Sequence, residues 1–208
     1  EALLAGRSAL TSVERLTALG LAVTRGAEVG LDLVRPHLGR LPKKQQKLYN
    51  RATFLAMLGA SLAMEDAGLP AGAGDPSRFG VLLGVNTLSW DLKALTDYLL
   101  AAESPESPGM LDMPLANSFC MRNINPLDYS LKTLPNLSGG HLAIAHDAQG
   151  FCRAMTEGQV GGARAIGQAF RLISEGELDA VLCGGADVLL EGLIFASILA
   201  LLLVYMVM

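Results

Sequence analysis

The stretch Gly150–Gly185, GFCRAMTEGQVGGARAIGQAFRLISEGELDAVLCGG, decides the fold. It reads as strand, sharp turn, helix, turn, strand. Phe151 to Thr156 can run extended, and the pleat then sends Phe151, Arg153 and Met155 to one face and Cys152, Ala154 and Thr156 to the other. In Glu157-Gly158-Gln159-Val160-Gly161-Gly162, small residues crowd a single polar side chain. Beyond it, Val160, Ala163, Gly167, Phe170 and Ile173 recur at helical spacing, with Arg164, Gln168, Arg171 and Glu175 among them; this predicts a helix over 160–175. Gly176 stops it. Leu178 to Cys183 is a short apolar run ending in Gly184-Gly185, as a buried strand does. Further out, Phe79 to Val85 (FGVLLGV) is apolar on both faces, which suits a parallel sheet covered on both sides by helices. The expected fold class is therefore α/β, with 79–85, 151–157 and 179–184 in one sheet and 160–175 packed against it.

The chemistry centres on Gln159. Flanking glycines let the backbone turn tightly and let a substrate come close. The turn lies at a helix N-terminus, where unpaired N–H groups and the macrodipole favour developing negative charge. In hydrolases a turn of this kind carries a nucleophilic Ser. A carboxamide has no nucleophilic atom and only donates and accepts hydrogen bonds. Read by itself, Gln159 is a polar residue at a helix start. Glu157 is open to two readings, a general base or a plain cap or dipole partner of the helix. TEGQVGG lacks the Lys-Ser/Thr ending of a phosphate loop.

The segment GGHLAIAHDAQG (139–150), the strand and glycine turn after it, and AIGQAFRLISEGELDAVLCGGAD (165–187) together resemble the β-ketoacyl-acyl carrier protein synthases. So does EDAGLP at 65–70. The resemblance implies a thiolase-like layered fold and places Gln159 where that family has its active-site Cys. Gly176-Glu177-Leu178-Asp179 and Gly184-Gly185-Ala186 match the later strand motif. Gln at the Cys position is the mark of the chain-length-factor subunits, the non-condensing partners in type II polyketide synthases. On this reading Gly158, Val160, Gly161 and Gly162 would line the substrate. The partners would be an active ketosynthase subunit, in a heterodimer, and an acyl carrier protein, with no cofactor or metal. The family's two catalytic histidines belong to the second half of its domain, so His37, His141 and His146 are not given their role. The turn departs from the family in lacking the small hydroxyl residues usual around the Cys.

Composition fits this frame. The net charge is only -4 and the single basic cluster, Lys43-Lys44 with Lys47, reads as a solvated helix start; no nucleic-acid surface is expected. Cys120, Cys152 and Cys183 have no CxxC spacing and no nearby His, so they are expected to be buried free thiols in a reducing, cytoplasmic compartment rather than zinc ligands or a disulfide framework.

The remaining chain supplies more expectations. Ala2 to Leu10 reads as the end of an opening helix and the Gly-Arg-Ser turn after it; the resemblance then implies that residues 1–192 are a partial N-terminal domain with its first strand missing, an incomplete N-terminal half of a condensing-enzyme domain. A short apolar piece is expected at Leu19 to Thr24 and one helical turn at Leu31 to Val34. Pro42 should open a long helix ending at Gly68, with Leu48, Ala52, Leu55, Leu58, Leu62 and Met64 on its apolar side. Leu92 to Ala102 reads as a helix and Glu103 to Gly109 as a loop. Asn117 to Asn125 gives no clear signal. Asn136 or Ser138 should cap a helix from Gly139 to Ala148.

The apolar end, residues 193–208 (LIFASILALLLVYMVM), is shorter than the about 20 residues of a membrane helix. A misread or truncated terminus ranks ahead of a core helix, and a tail anchor comes last, so a membrane partner is not expected. Three functions follow: a chain length factor, a malonyl-acyl carrier protein decarboxylase acting through Gln159, and a tail-anchored membrane protein.

Overall fold

The computed structural model describes residues 4–41, 43–70, 74–85, 92–125 and 131–190. These fall into two compact units, one holding residues up to Pro36 together with Leu189 onward, the other His37–Val188. Pro42 and the tail 193–208 lie outside the described residues.

In the smaller unit, β1 (Thr11–Ser12) pairs antiparallel with β2 (Arg25–Gly26) around α1 (Glu14–Ala18). Val13 and Leu16 are buried there, and Arg15 is ion-paired with Glu28. The expected opening helix is not found among the described residues: Leu4–Gly6 form a turn, with Gly6 at φ 66°, and the chain to Leu10 is irregular. The expected apolar piece at 19–24 is likewise irregular, while α2 (Leu31–Val34) lies where one helical turn was expected.

The larger unit is built on a parallel sheet. Its strands are β3 (Phe79–Gly84), β4 (Cys152–Met155) and β5 (Ala180–Gly185), in the order β4-β3-β5. Val81 is in register with Cys152 and with Leu182. Every residue of β3 is buried, which explains why its sequence is apolar on both faces. Gly139 approaches Cys152 Sγ from one side of the sheet; Met155, on the other face of β4 by the alternation of the pleat, packs with Ala165, Ala169 and Leu172. Two helices thus cover opposite faces: α7 (Pro135–His146) and α8 (Gly161–Ser174).

Helix α4 (Arg51–Asp66) packs behind α7, joined to it by the buried hydroxyl pair Thr53 Oγ1–Ser138 Oγ at 2.7 Å. The single long helix expected from Pro42 is instead two, α3 (Lys43–Gln46) and α4. Asn50 separates them by accepting from the Thr53 N–H as an N-cap, a local bond that starts a helix afresh. The α4 end matches expectation, with Gly68 at φ 64° donating to Glu65 and Leu69 N–H donating to Met64. Ala52, Leu58 and Met64 are buried as expected, but Leu62 is exposed.

Helices α5 (Leu92–Ala102) and α6 (Met113–Asn123) pack on each other. α6 runs through most of the stretch that gave no clear signal. Asp112 caps it by accepting from Leu115 N–H at 2.9 Å. α7 begins at Pro135, earlier than expected; Leu134 is its N-cap and contributes no side-chain bond, and Ser138 lies inside the helix facing α4.

Candidate functional site

The site forms at the carboxyl end of the sheet, where parallel α/β sheets commonly place their ligands. β4 ends at Met155. Thr156 and Glu157 leave the sheet, and Gly158–Val160 make one 3-10 turn that feeds α8. Gly158 has φ 63°, a left-handed conformation that costs a residue without Cβ nothing. The turn thus has the sharp strand-to-helix form expected of it, and Gln159 and Val160 are exposed on it.

The other glycines set how closely the helix and the sheet pack. A Cβ on Gly84 would lie 2.3 Å from the Gly162 nitrogen, and one on Gly162 would lie 3.4 Å from the Gly185 Cα. Their missing side chains let the first turn of α8 rest on the ends of β3 and β5, so the close approach is helix to sheet. The Gly161 N–H donates to the Gly158 carbonyl, closing the turn.

On α8, Ala165, Ala169 and Leu172 meet the sheet, whereas Val160 (61 % exposed), Phe170 (72 % exposed) and Ile173, all in the series that recurs at helical spacing, point outward with Ile166. Two alanines against the strands let the helix sit low, continuing the contact begun by the glycines. The far end of α8 is as expected: Gly176 at φ 74° donates to Ile173, and Glu177 N–H to Leu172, both closing the helix.

Glu157 is not a helix cap, since its side chain makes no capping bond. Its Oε2, shielded from solvent, faces Arg164 Nη1 at 3.0 Å. The contact is ionic, without the alignment of a hydrogen bond. Sequence reasoning missed this pair because nothing in the spacing of Glu157 and Arg164 marks it.

The cysteines are not buried as expected. Cys120 is half-buried; Cys152 and Cys183 are exposed residues on the two outer strands of the described sheet. Partial desolvation still pushes both strand thiols up from their ordinary pKa, which keeps them protonated and poorly nucleophilic. His141 and His146 lie on α7, away from the turn. Burial lowers the pKa of each, and their Nε2 atoms are shielded without a hydrogen-bond partner. A hydrogen bond to the Leu131 backbone partly offsets this at His141, whose ring meets Tyr49 edge-on at 5.0 Å. Among the described residues no group of three His, Cys, Asp or Glu could hold a metal ion, and no helix is long and apolar enough to cross a membrane.

The chain is similar to Nodulation protein E of Rhizobium sp. (strain N33), 26% identical over 182 residues, covering 88% of this chain and 40% of that protein. It is also similar to the tetracenomycin polyketide synthase ketoacyl synthase alpha subunit of Streptomyces glaucescens, 28% identical over 185 residues, covering 89% of this chain and 40% of that subunit. Among solved structures, the ishigamide ketosynthase/chain length factor superposes with a TM-score of 0.65 at 23% identity, covering 89% of this chain and 42% of that one. The chain therefore spans about 40% of the length of these curated relatives. The thiolase-like α/β fold class expected from the sequence holds. Residues 1–204 match the family described as Beta-ketoacyl synthase, N-terminal domain, and the chain belongs to that family.

Proposed function

We propose that this chain is the N-terminal part of a non-condensing β-ketoacyl synthase-like subunit, a chain length factor of a type II polyketide or fatty-acid synthase. In this reading it pairs in the cytoplasm with an active ketosynthase, shapes the cavity in which the acyl chain grows, and meets intermediates carried by an acyl carrier protein. The observation that carries the reading is the residue on the turn between β4 and α8: a carboxamide, Gln159, stands where the family resemblance puts a thiol. A thiolate attacks a thioester and holds the acyl chain covalently; a carboxamide does neither. The likeness to the ishigamide ketosynthase/chain length factor supports the fold of such a subunit.

The test uses the full-length protein with a condensing partner and an acyl-carrier-bound substrate. Mass spectrometry should find no acyl adduct on this subunit, and Gln159→Ala should alter product length while leaving the partner's acylation intact. A stable adduct on this subunit would overturn the proposal. If instead Gln159→Ala slows carbon dioxide release from a malonyl thioester by about a hundredfold, the loss typical of one oxyanion donor, the subunit is a decarboxylase acting through Gln159.

A further inference from the structure

The turn that carries Gln159 holds a second feature, and it is electrostatic. Glu157 lies two positions before Gln159, on a chain that reverses direction through Gly158. A carboxylate at that place would naturally turn toward the positive N-terminal end of α8, the same field that residue 159 meets. It makes no capping bond there; its shielded Oε2 is instead 3.0 Å from Arg164 Nη1, on the first turn of α8. The other charged residues of the two elements lie elsewhere. Arg153 is exposed on β4, and Arg171 stands near the far end of α8, paired with Glu175 at 3.7 Å.

We infer that Arg164 is a positioning residue for the site: it draws the Glu157 carboxylate to itself and so leaves the positive end of α8 to the side chain at position 159. The inference rests on the proposal that position 159 is the functional one. It concerns only the field at that position, whatever reaction the subunit serves. Arg164 is more exposed than Glu157, at 64% against 32%, so the pair is a weak contributor to stability. Its effect lies in where the carboxylate is held. Without Arg164, the shielded carboxylate loses its counter-charge and must rotate toward water or toward the helix end. The second course places a like charge beside any thiolate, enolate or oxyanion at position 159.

The experiment converts position 159 into a reporter. In the full-length protein carrying Gln159→Cys, the rate of alkylation by iodoacetamide is followed against pH, which reads the thiolate fraction at that position. Adding Arg164→Gln should raise the midpoint by about one pH unit, the order expected of a nearby like charge, so that alkylation below the midpoint slows about tenfold. Adding Glu157→Gln as well should restore the midpoint. Restoration by the second substitution is the readout that general loosening of the turn would not give. An unchanged midpoint in the Arg164→Gln protein, or a change that Glu157→Gln does not reverse, overturns the inference. Should Gln159→Cys fail to fold, the crystal structure of the Arg164→Gln protein with Gln159 intact decides: a Glu157 carboxylate turned toward the helix end supports the inference, and a carboxylate in its present place, or turned out to water, overturns it. Neither measurement depends on product length or acyl transfer, so the role proposed for the subunit can fail while this inference stands, and the reverse.

Discussion

The two ends of the sheet are fastened by different means. At the amino end side chains add to backbone contacts: the Gln149, Gly150 and Asp179 N–H groups donate to the Pro76, Phe79 and Arg78 carbonyls, and a Cβ on Gly150 would lie 2.8 Å from the Phe79 and Ser77 oxygens. Arg78, just before β3, sends Nε and Nη2 to the two carboxylate oxygens of Asp179, just before β5, at 2.8 and 2.6 Å, and Nη2 also reaches the Gly176 carbonyl at 2.9 Å. Asp75 caps the short turn there by accepting from Ser77 N–H and Oγ. At the carboxyl end the first turn of α8 lies directly on strand backbone at Gly84 and Gly185. The side-chain contacts at the amino end are exposed and adjustable; long side chains swing, and water replaces a lost partner. The glycine end has nothing to swing. Residue 159 is aimed by the glycine contacts of the carboxyl end, which should fail on size, whereas the side-chain part of the amino end should fail on charge.

The largest effect is expected from size. Gly84→Ala puts a Cβ 2.3 Å from the Gly162 nitrogen and 2.4 Å from the Gly161 carbonyl carbon, both backbone atoms that cannot rotate away. Either α8 lifts from the sheet or β3 shifts. Overpacking of this kind costs about 3 kcal/mol, and urea denaturation of the full-length protein should show a fall of that size. Because α8 carries the turn, the Gln159-dependent readouts should suffer too. A Gly84→Ala protein of unchanged stability would mean that the glycine contact is looser than it stands here.

This contrast also shows what the sequence made legible. The strands and α8 were readable because apolar runs and helical spacing are local signals, and Gly68 and Gly176 mark helix ends by a backbone conformation that favours glycine. The turn at Gly158 was readable for the same reason. The packed face of α8 was not. The sequence offers Val160, Phe170 and Ile173 as its largest apolar stripe, yet Ala165 and Ala169 with Leu172 meet the sheet. How close a helix may come to a sheet depends on glycines far away in sequence, such as Gly84, and no periodicity contains that. The same holds for the Glu157–Arg164 pair and for Thr53 with Ser138, which are tertiary meetings. The break between α3 and α4 was different, since Asn50 stands ahead of Thr53 as a capping signal that an apolar stripe obscured. Asp112 with Pro114 was a similar signal for the start of α6.

A smaller effect, confined to the amino end, is expected from acid. His146 borders a small cavity of about 30 Å³ lined by residues including Met64, Phe79 and Ala180. Burial lowers its pKa in the folded protein. The unfolded chain then binds the proton more readily, so stability is full above the ordinary histidine value, about pH 6.5, and falls as pH drops from there through the lowered folded value. His146→Gln should flatten that limb of a melting-temperature profile, as should the neutral variant at His141, whose ring is lowered for the same main reason. The alkylation midpoint of a reporter at position 159 should not move with His146→Gln, because the two lie at opposite ends of the sheet. If it moves, the two ends are coupled and the contrast between them is wrong.

The smallest effect belongs to the Arg78–Asp179 fork, although it has the best geometry of the ion pairs described here. Hydrogen bonds from the Arg78 guanidinium hold the Asp179 carboxyl below its ordinary pKa, and the same bonds push Arg78 up. A depressed carboxyl pKa contributes stability above the ordinary carboxylate range, about pH 3.9, and loses it as pH falls through the lowered folded value. Both groups are exposed, with side chains 39% and 63% accessible, so water and salt screen the attraction and long side chains are held at an entropic cost. Asp179→Asn should therefore lower the melting temperature only slightly at neutral pH, and less still at high salt. Its signature should be a shallower acid limb below the range in which His146 acts. The two limbs are separable by pH, so a double substitution of His146 and Asp179 should flatten both independently. Should Asp179→Asn instead unfold the protein as severely as Gly84→Ala, the fork would be a rigid fastening like the glycine contact, and the amino end of the sheet would be no more forgiving than the end that carries Gln159.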